Sequence, residues 1–168
     1  MAKVLFKEEQ KFRQKWLIVI IMIPMLISIW AIIQQVFLDR PFGNNPISDT
    51  GLILFLAVPL FVLGFFFSLT LHTKVNNQGI FYRFYPVHRK ERMIPWDKVK
   101  QVSVRKYKPI REYGGWGFRK GRSGNALNTF GNMGLQIEFT DGRKLLLGTH
   151  KPVELKHVLG KIKPLSDS

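Results

Sequence analysis

Two uncharged apolar runs, Trp16–Leu38 and Gly51–Leu71, occupy most of the first 71 residues and constrain this chain more than any other feature. They read WLIVIIMIPMLISIWAIIQQVFL and GLILFLAVPLFVLGFFFSLTL, without a single Lys, Arg, Asp or Glu. At about 1.5 Å per residue the first run makes a helix roughly 34 Å long, enough to cross a hydrocarbon layer about 30 Å thick. A helix at the surface of a water-soluble domain keeps a polar face, and these runs have no charged face to keep. They predict a transmembrane hairpin over residues 16–72, with spans at 16–38 and 51–71 and an external loop at 39–50. A cleaved signal peptide is the competing reading of the first run. Its apolar stretch is too long and no small-x-small pair follows it, so an uncleaved anchor is expected.

Pro24 and Pro59 fall inside the spans, where neighbouring groups can satisfy the carbonyl a proline frees. They predict mild kinks; a gating hinge is the sharper alternative. Gly64 and Ser68 are four apart and suggest a close seam with the first span. Gln34 and Gln35 read as interfacial. The leader, residues 1–15, holds Lys3, Lys7, Lys11, Arg13 and Lys15 against Glu8 and Glu9, whereas the loop has only Arg40 against Asp39 and Asp49. Basic flanks stay on the cytoplasmic side, so both termini are expected there. Val4, Leu5, Phe6 and Phe12 among the leader's charges suggest a short amphipathic helix along the interface.

After Thr73 the pattern changes to that of a separate domain, residues 73–168. Gly79–Tyr85 (GIFYRFY) is rich in aromatic and β-branched residues and follows the turn signal Asn76-Asn77-Gln78. Residues 94–107 alternate apolar and charged positions and predict one or two strands. Leu135–Phe139, Asp141-Gly142 and Lys144–Gly148 predict a β-hairpin. Pro152 opens a predicted helix over about 152–162, with Val153, Leu155, Val158, Leu159 and Ile162 as its apolar stripe. Several antiparallel strands followed by one helix predict a small barrel or sandwich capped by that helix. An OB-fold fits this order less well, because its helix sits mid-chain.

The segments Ile94-Pro95-Trp96-Asp97-Lys98-Val99, Tyr113–Arg119 (YGGWGFR), Gly131–Gly134 (GNMG) and Gly148-Thr149-His150-Lys151-Pro152 carry a resemblance. Together with the preceding hairpin, they resemble a group of membrane-anchored bacterial pleckstrin-homology-like (PH-like) proteins. The resemblance covers residues 73–163 and the hairpin. It implies a PH-like fold and an anchor in the bacterial cytoplasmic membrane, and no reaction. Trp96, Gly114, Gly115, Trp116, Gly117, Gly148, Thr149 and Pro152 are its motif residues and are expected to be structural.

Catalytic chemistry finds little support. The chain has no Cys, which removes disulfides, thiolate metal sites and a cysteine nucleophile. Phosphate-loop and dinucleotide fingerprints are absent. His72, His88, His150 and His157 form no short-spaced ligand pair, and the acidic residues are scattered. A Ser/His/Asp set assembles in space, so residue spacing leaves it open. The chain therefore reads as non-enzymatic and without a cofactor.

The charge points to binding instead. The net charge is +15, and from Thr73 onward 20 Lys/Arg face 7 Asp/Glu. Arg89, Lys90 and Arg92 form one cluster, Arg119, Lys120 and Arg122 a second, and Arg105, Lys106 and Lys108 a third. In lipid-binding PH domains the loop joining the first two strands supplies the cations, so the resemblance makes Arg89, Lys90 and Arg92 candidates. Beside an anionic leaflet each Lys or Arg contributes only about 1 kcal/mol of attraction, so position alone accounts for much of the charge. Membrane lipids are the expected surroundings, and a protein partner or second copies of the chain the expected ligand. Nucleic acid is disfavoured, although aromatic residues interleave with the charge. The reading is a membrane-anchored module that recruits a partner or self-assembles at the cytoplasmic face. Recognition of anionic headgroups, or an accessory role in a membrane enzyme or transporter, are the alternatives.

Overall fold

The structure is a computed structural model describing residues 3–121 and 123–162. The chain divides into two compact units: Gln14–Phe67, and the flanking residues through Arg13 and from Ser68 onward.

The first unit is a pair of long helices. α1 spans Lys15–Ile32 and runs on as a π-helical turn over Ile33–Phe37, and α2 spans Asp49–Ser68. Both are long and apolar enough to cross a membrane. Their large side chains point outward: Ile27, Leu54, Val58 and Phe61 are half to three-quarters exposed. The buried positions are few, Ile21, Ser28 and Ala31 on α1 and Leu52 and Pro59 on α2. Spacings of seven and three place each set on one stripe of its helix. Gly64, expected in a close seam with the first span, is exposed with open space around it. Ser28 turns its hydroxyl back onto the Pro24 carbonyl at 2.6 Å. Gln35 ties the connecting loop together rather than merely marking the interface. Its amide donates to the Ile47 carbonyl and to Asp49 Oδ1, both at 2.7 Å. Ser48 caps α2, its carbonyl accepting from Leu52 N–H and its hydroxyl from Gly51 N–H.

The second unit holds two sheets. β1 (Phe6–Lys11), β2 (Thr70–Asn76), β3 (Gly79–Tyr85) and β4 (Arg92–Pro95) form an antiparallel sheet in chain order. A single 3₁₀ turn at Trp96–Lys98 leads to β5 (Val99–Lys106). After a short helix α3 (Pro109–Tyr113) come β6 (Gly117–Gly121), β7 (Gly124–Asn128), β8 (Met133–Phe139) and β9 (Lys144–Gly148), in sheet order β5-β8-β9-β7-β6. The expected Asp141-Gly142 hairpin joins β8 and β9. Helix α4 (Pro152–Ile162) follows and packs against β1, β5 and β8. Among the described residues the strands form two separate sheets, with no closed barrel. One pairing, β7 with β9, is parallel, where only antiparallel strands were expected.

The core lies between the inner faces of the sheets. Leu71, Val75, Ile80 and Phe84 come from the first, and Val102, Leu135, Ile137 and Leu147 from the second. Leu155 and Leu159 of α4 are buried with them. Val153, read as part of the α4 stripe, is instead 82% exposed, because two residues of helix turn it about 200° from Leu155. A second, smaller cluster of Tyr107, Tyr113, Ala126 and Leu146 packs α3 onto the outward face of the second sheet. That extra cover explains why Leu145, Leu146 and Leu147 are all buried in β9.

Three expectations change here. The leader is a strand, not an interfacial helix: β1 pairs with β2 from Phe6↔Val75 to Lys11↔Thr70. Its inward positions are Phe6, Glu8 and Gln10, and its outward ones Lys7, Glu9 and Lys11. The second apolar helix stops at Ser68, and Leu71 belongs to β2 with its side chain fully buried. Finally, the β6–β7 hairpin carries Arg119 and Lys120 on a strand where the residue pattern predicted none.

Candidate functional site

The basic residues picked out by sequence come from two distant segments. Arg89 and Lys90 lie in the loop after β3, and Arg92 opens β4. Arg119 and Lys120 lie on the edge strand β6. All five are exposed. Arg122 lies outside the described residues. His88 brings the two segments together. Its ring stands edge-on to Tyr82 of β3 and to Phe118 of β6, each with centroids 5.9 Å apart. Burial lowers the His88 pKa, and Arg92 lowers it further, so the ring is neutral near pH 7. In the fold His88 is a buried aromatic spacer beside the Arg89, Lys90 and Arg92 cluster.

The loop carrying Arg89 and Lys90 joins β3 to β4. The resemblance had placed these residues in the loop joining the first two strands. Two earlier strands displace that count, and the segment between β1 and β2 is the helical pair itself. The analogy therefore no longer supports these cations, and only their juxtaposition with β6 does. Glu91 within the loop pairs with Lys74 at 2.7 Å, and Arg119 donates to the Trp116 carbonyl at 3.0 Å.

The motif residues make internal contacts. Trp96 donates its indole N–H to the Asn76 carbonyl, and Trp116 donates to that of Gly131, each at 2.9 Å. Gly114 closes α3 in a left-handed conformation (φ 72°), Gly115 follows it, and Gly117 N–H donates to Asn128 Oδ1 at 2.8 Å. Pro152 is the first residue of α4. Gly148 and Thr149 receive β1. Gln10 donates to the Gly148 carbonyl at 2.6 Å. The buried Glu8 carboxylate accepts from Thr149 Oγ1 and from His150 N–H, both at 2.7 Å. These bonds fasten a strand of the first sheet to the end of the second.

In the third basic cluster Arg105 is committed to structure, while Lys106 and Lys108 are exposed. Arg105 bonds Glu112 at 2.8 Å and donates twice to Gln136 Oε1, at 3.2 and 2.9 Å. Burial opposes the charge on Arg105, yet the contact with Glu112 outweighs it and raises its pKa. Glu112 in turn is held below the usual carboxylate range, chiefly by its hydrogen bond to Arg105. Because the folded value is depressed, the pair adds stability above the unfolded carboxylate range. That contribution is lost as pH falls through the folded value. Glu112→Gln is expected to lower the unfolding temperature at neutral pH and to flatten its decline at acid pH, read from thermal unfolding between pH 3 and pH 7. Among the described residues, no group of three or more His, Asp or Glu could hold a metal ion.

Fold and surface together define a class: a basic two-sheet β domain with two helices, long and apolar enough to span a membrane, between its first and second strands. The chain belongs to the Family of unknown function (DUF6141), whose model matches residues 1–162. No curated protein and no solved structure matches it.

Proposed function

We propose that this protein is a non-enzymatic, membrane-anchored binding module that presents its PH-like β domain at the cytoplasmic face of a bacterial membrane. The observation that carries the reading is the place where the helical pair enters the domain. Phe12 N–H donates to the Leu69 carbonyl at 3.0 Å, extending the β1–β2 ladder beyond Lys11 and Thr70. The start of α1 and the end of α2 are therefore tied to neighbouring strands, which supports two crossings with both ends on one side. The distribution of basic residues supports the cytoplasm as that side. Confinement at a membrane favours weak contacts with a partner or a second copy. A photo-crosslinking residue at Lys90 or Met93, used in native membranes, should give discrete adducts with a protein or with the chain itself. A complete lack of protein adducts at both positions would refute the partner reading.

The second reading is anionic headgroup recognition by Arg89, Lys90, Arg92, Arg119 and Lys120, favoured by the His88–Phe118 contact that draws their segments together. It requires binding that depends on headgroup and not only on total charge. Equal binding to all lipids of matched charge, abolished by moderate salt, would reduce it to bulk electrostatics.

A further inference from the structure

Helix α3 covers only part of the outward face of the second sheet, where Tyr113 lies against Ala126 and Leu146. Beside it the sheet leaves a basin of about 800 Å³, whose functional lining is Arg105, Lys120, Ser123, Asn125, Arg143 and Lys144. Among the described residues four cations line it and no carboxylate does. The nearest acids hold three of these cations from the rim. Glu112 takes Arg105 at 2.8 Å, Asp141 takes Arg143 at 2.7 Å, and Glu138 reaches Lys144 at 3.6 Å while holding Lys100 more closely at 3.0 Å. Lys120, Ser123 and Asn125 make no side-chain hydrogen bond or ion pair with other described residues. Arg105 is already oriented by Gln136 and Glu112, so its guanidinium needs little further ordering.

We infer that this basin binds a small ligand through a phosphomonoester or diphosphate group. The donor set calls for a multiply charged acceptor. A single carboxylate would leave most of these donors unused, whereas a phosphomonoester brings a charge of about −1.5 to −2 and three acceptor oxygens. Guanidinium forks suit phosphate oxygens in pairs, and a hydroxyl and an amide complete the set. The exposed pairs Arg143–Asp141 and Lys144–Glu138 are weak and rearrange at little cost. The basin falls within the range of about 300–1,000 Å³ of small-molecule sites, with room for a sugar- or nucleoside-sized body. It shares Lys120 with the headgroup reading above but none of Arg89, Lys90, Arg92 and Arg119, so the variants below separate the two. The phosphate can come from a soluble metabolite or from a lipid monoester headgroup.

The test uses the full chain in detergent micelles at physiological ionic strength. Inorganic pyrophosphate is titrated calorimetrically, and phosphatidic acid and phosphatidylserine are compared in mixed micelles of equal charge. Saturable binding is expected for pyrophosphate or phosphatidic acid, stronger than for phosphatidylserine. Arg143→Gln combined with Lys144→Gln should weaken it by about tenfold or more, while Arg89→Gln combined with Lys90→Gln should change it by less than about twofold. Arg143 and Lys144 are exposed, and an unchanged unfolding temperature verifies the fold; Lys120→Gln serves as an independent second variant. Pyrophosphate binding assigns a soluble source, and phosphatidic acid binding alone assigns a lipid. No saturable binding, equal binding to phosphatidylserine, or equal loss in the Arg89/Lys90 variant overturns the inference.

Discussion

Glu8→Ala is expected to destabilise the β domain by about 3 kcal/mol, because it leaves one buried and one part-buried donor without their carboxylate acceptor. Thr149 is 2% exposed and Glu8 6%, so water reaches neither well. Each hydrogen bond to the carboxylate is worth about 1.5–3 kcal/mol, and removing the charge recovers part of the cost of burying it. Glu8→Gln keeps the shape and one good acceptor and should cost about half as much. Thr149→Val removes one of the same bonds, so Glu8→Ala with Thr149→Val should cost clearly less than the sum of the two single changes. The measurement is thermal unfolding of the full chain in detergent, with limited trypsin digestion alongside. A released β1 exposes Lys11 and Arg13 to cleavage. A loss under about 0.5 kcal/mol, with unchanged digestion, would mean that β1 is not held by this lock.

The second large effect separates a membrane from water as the surroundings of α1 and α2. Ile27 and Val58 lie near the middle of their helices and are 50% and 62% exposed. If both face lipid, Ile27→Arg and Val58→Arg each cost about 2.5–3.5 kcal/mol of insertion free energy. The double variant should then be lost from carbonate-washed membranes and degraded. If the helices stood in water, exchanging an exposed apolar side chain for a charged one would be neutral or improve solubility. Full recovery of the double variant in the soluble fraction would therefore remove the anchor on which the proposed function depends.

The parts of this fold that were legible have local causes. A run without charge must satisfy its backbone within itself, so Trp16–Leu38 and most of Gly51–Leu71 read directly as helices. Asp141-Gly142 between two apolar strands is a turn whatever surrounds it. In α4, Leu155 and Leu159 recur at the helical spacing and are the residues that are buried.

The features that position the candidate sites have no such local cause. β1 puts Glu8 and Gln10 on its inward face, so its two-residue alternation does not look like that of a buried strand. Those residues become reasonable inside the fold only when Gly148 and Thr149, about 140 positions later, supply their partners. The start of β2 is hidden in the apolar run of α2, and only pairing with β1 and β3 separates Leu71 from that helix. β6 and β7 have Gly and Asn where strand formers are usual, and they are held by each other and by the parallel contact with β9. Neither the meeting of His88 with Phe118 nor the basin beside α3 has a signal in residue spacing. The two apolar runs and the basic surplus thus follow from the sequence by itself, because they depend on composition and near neighbours. The strand that fastens both ends of the helical pair, and the pooling of cations from separate strands, were decided by tertiary structure, because each depends on a partner that only folding brings within hydrogen-bonding range.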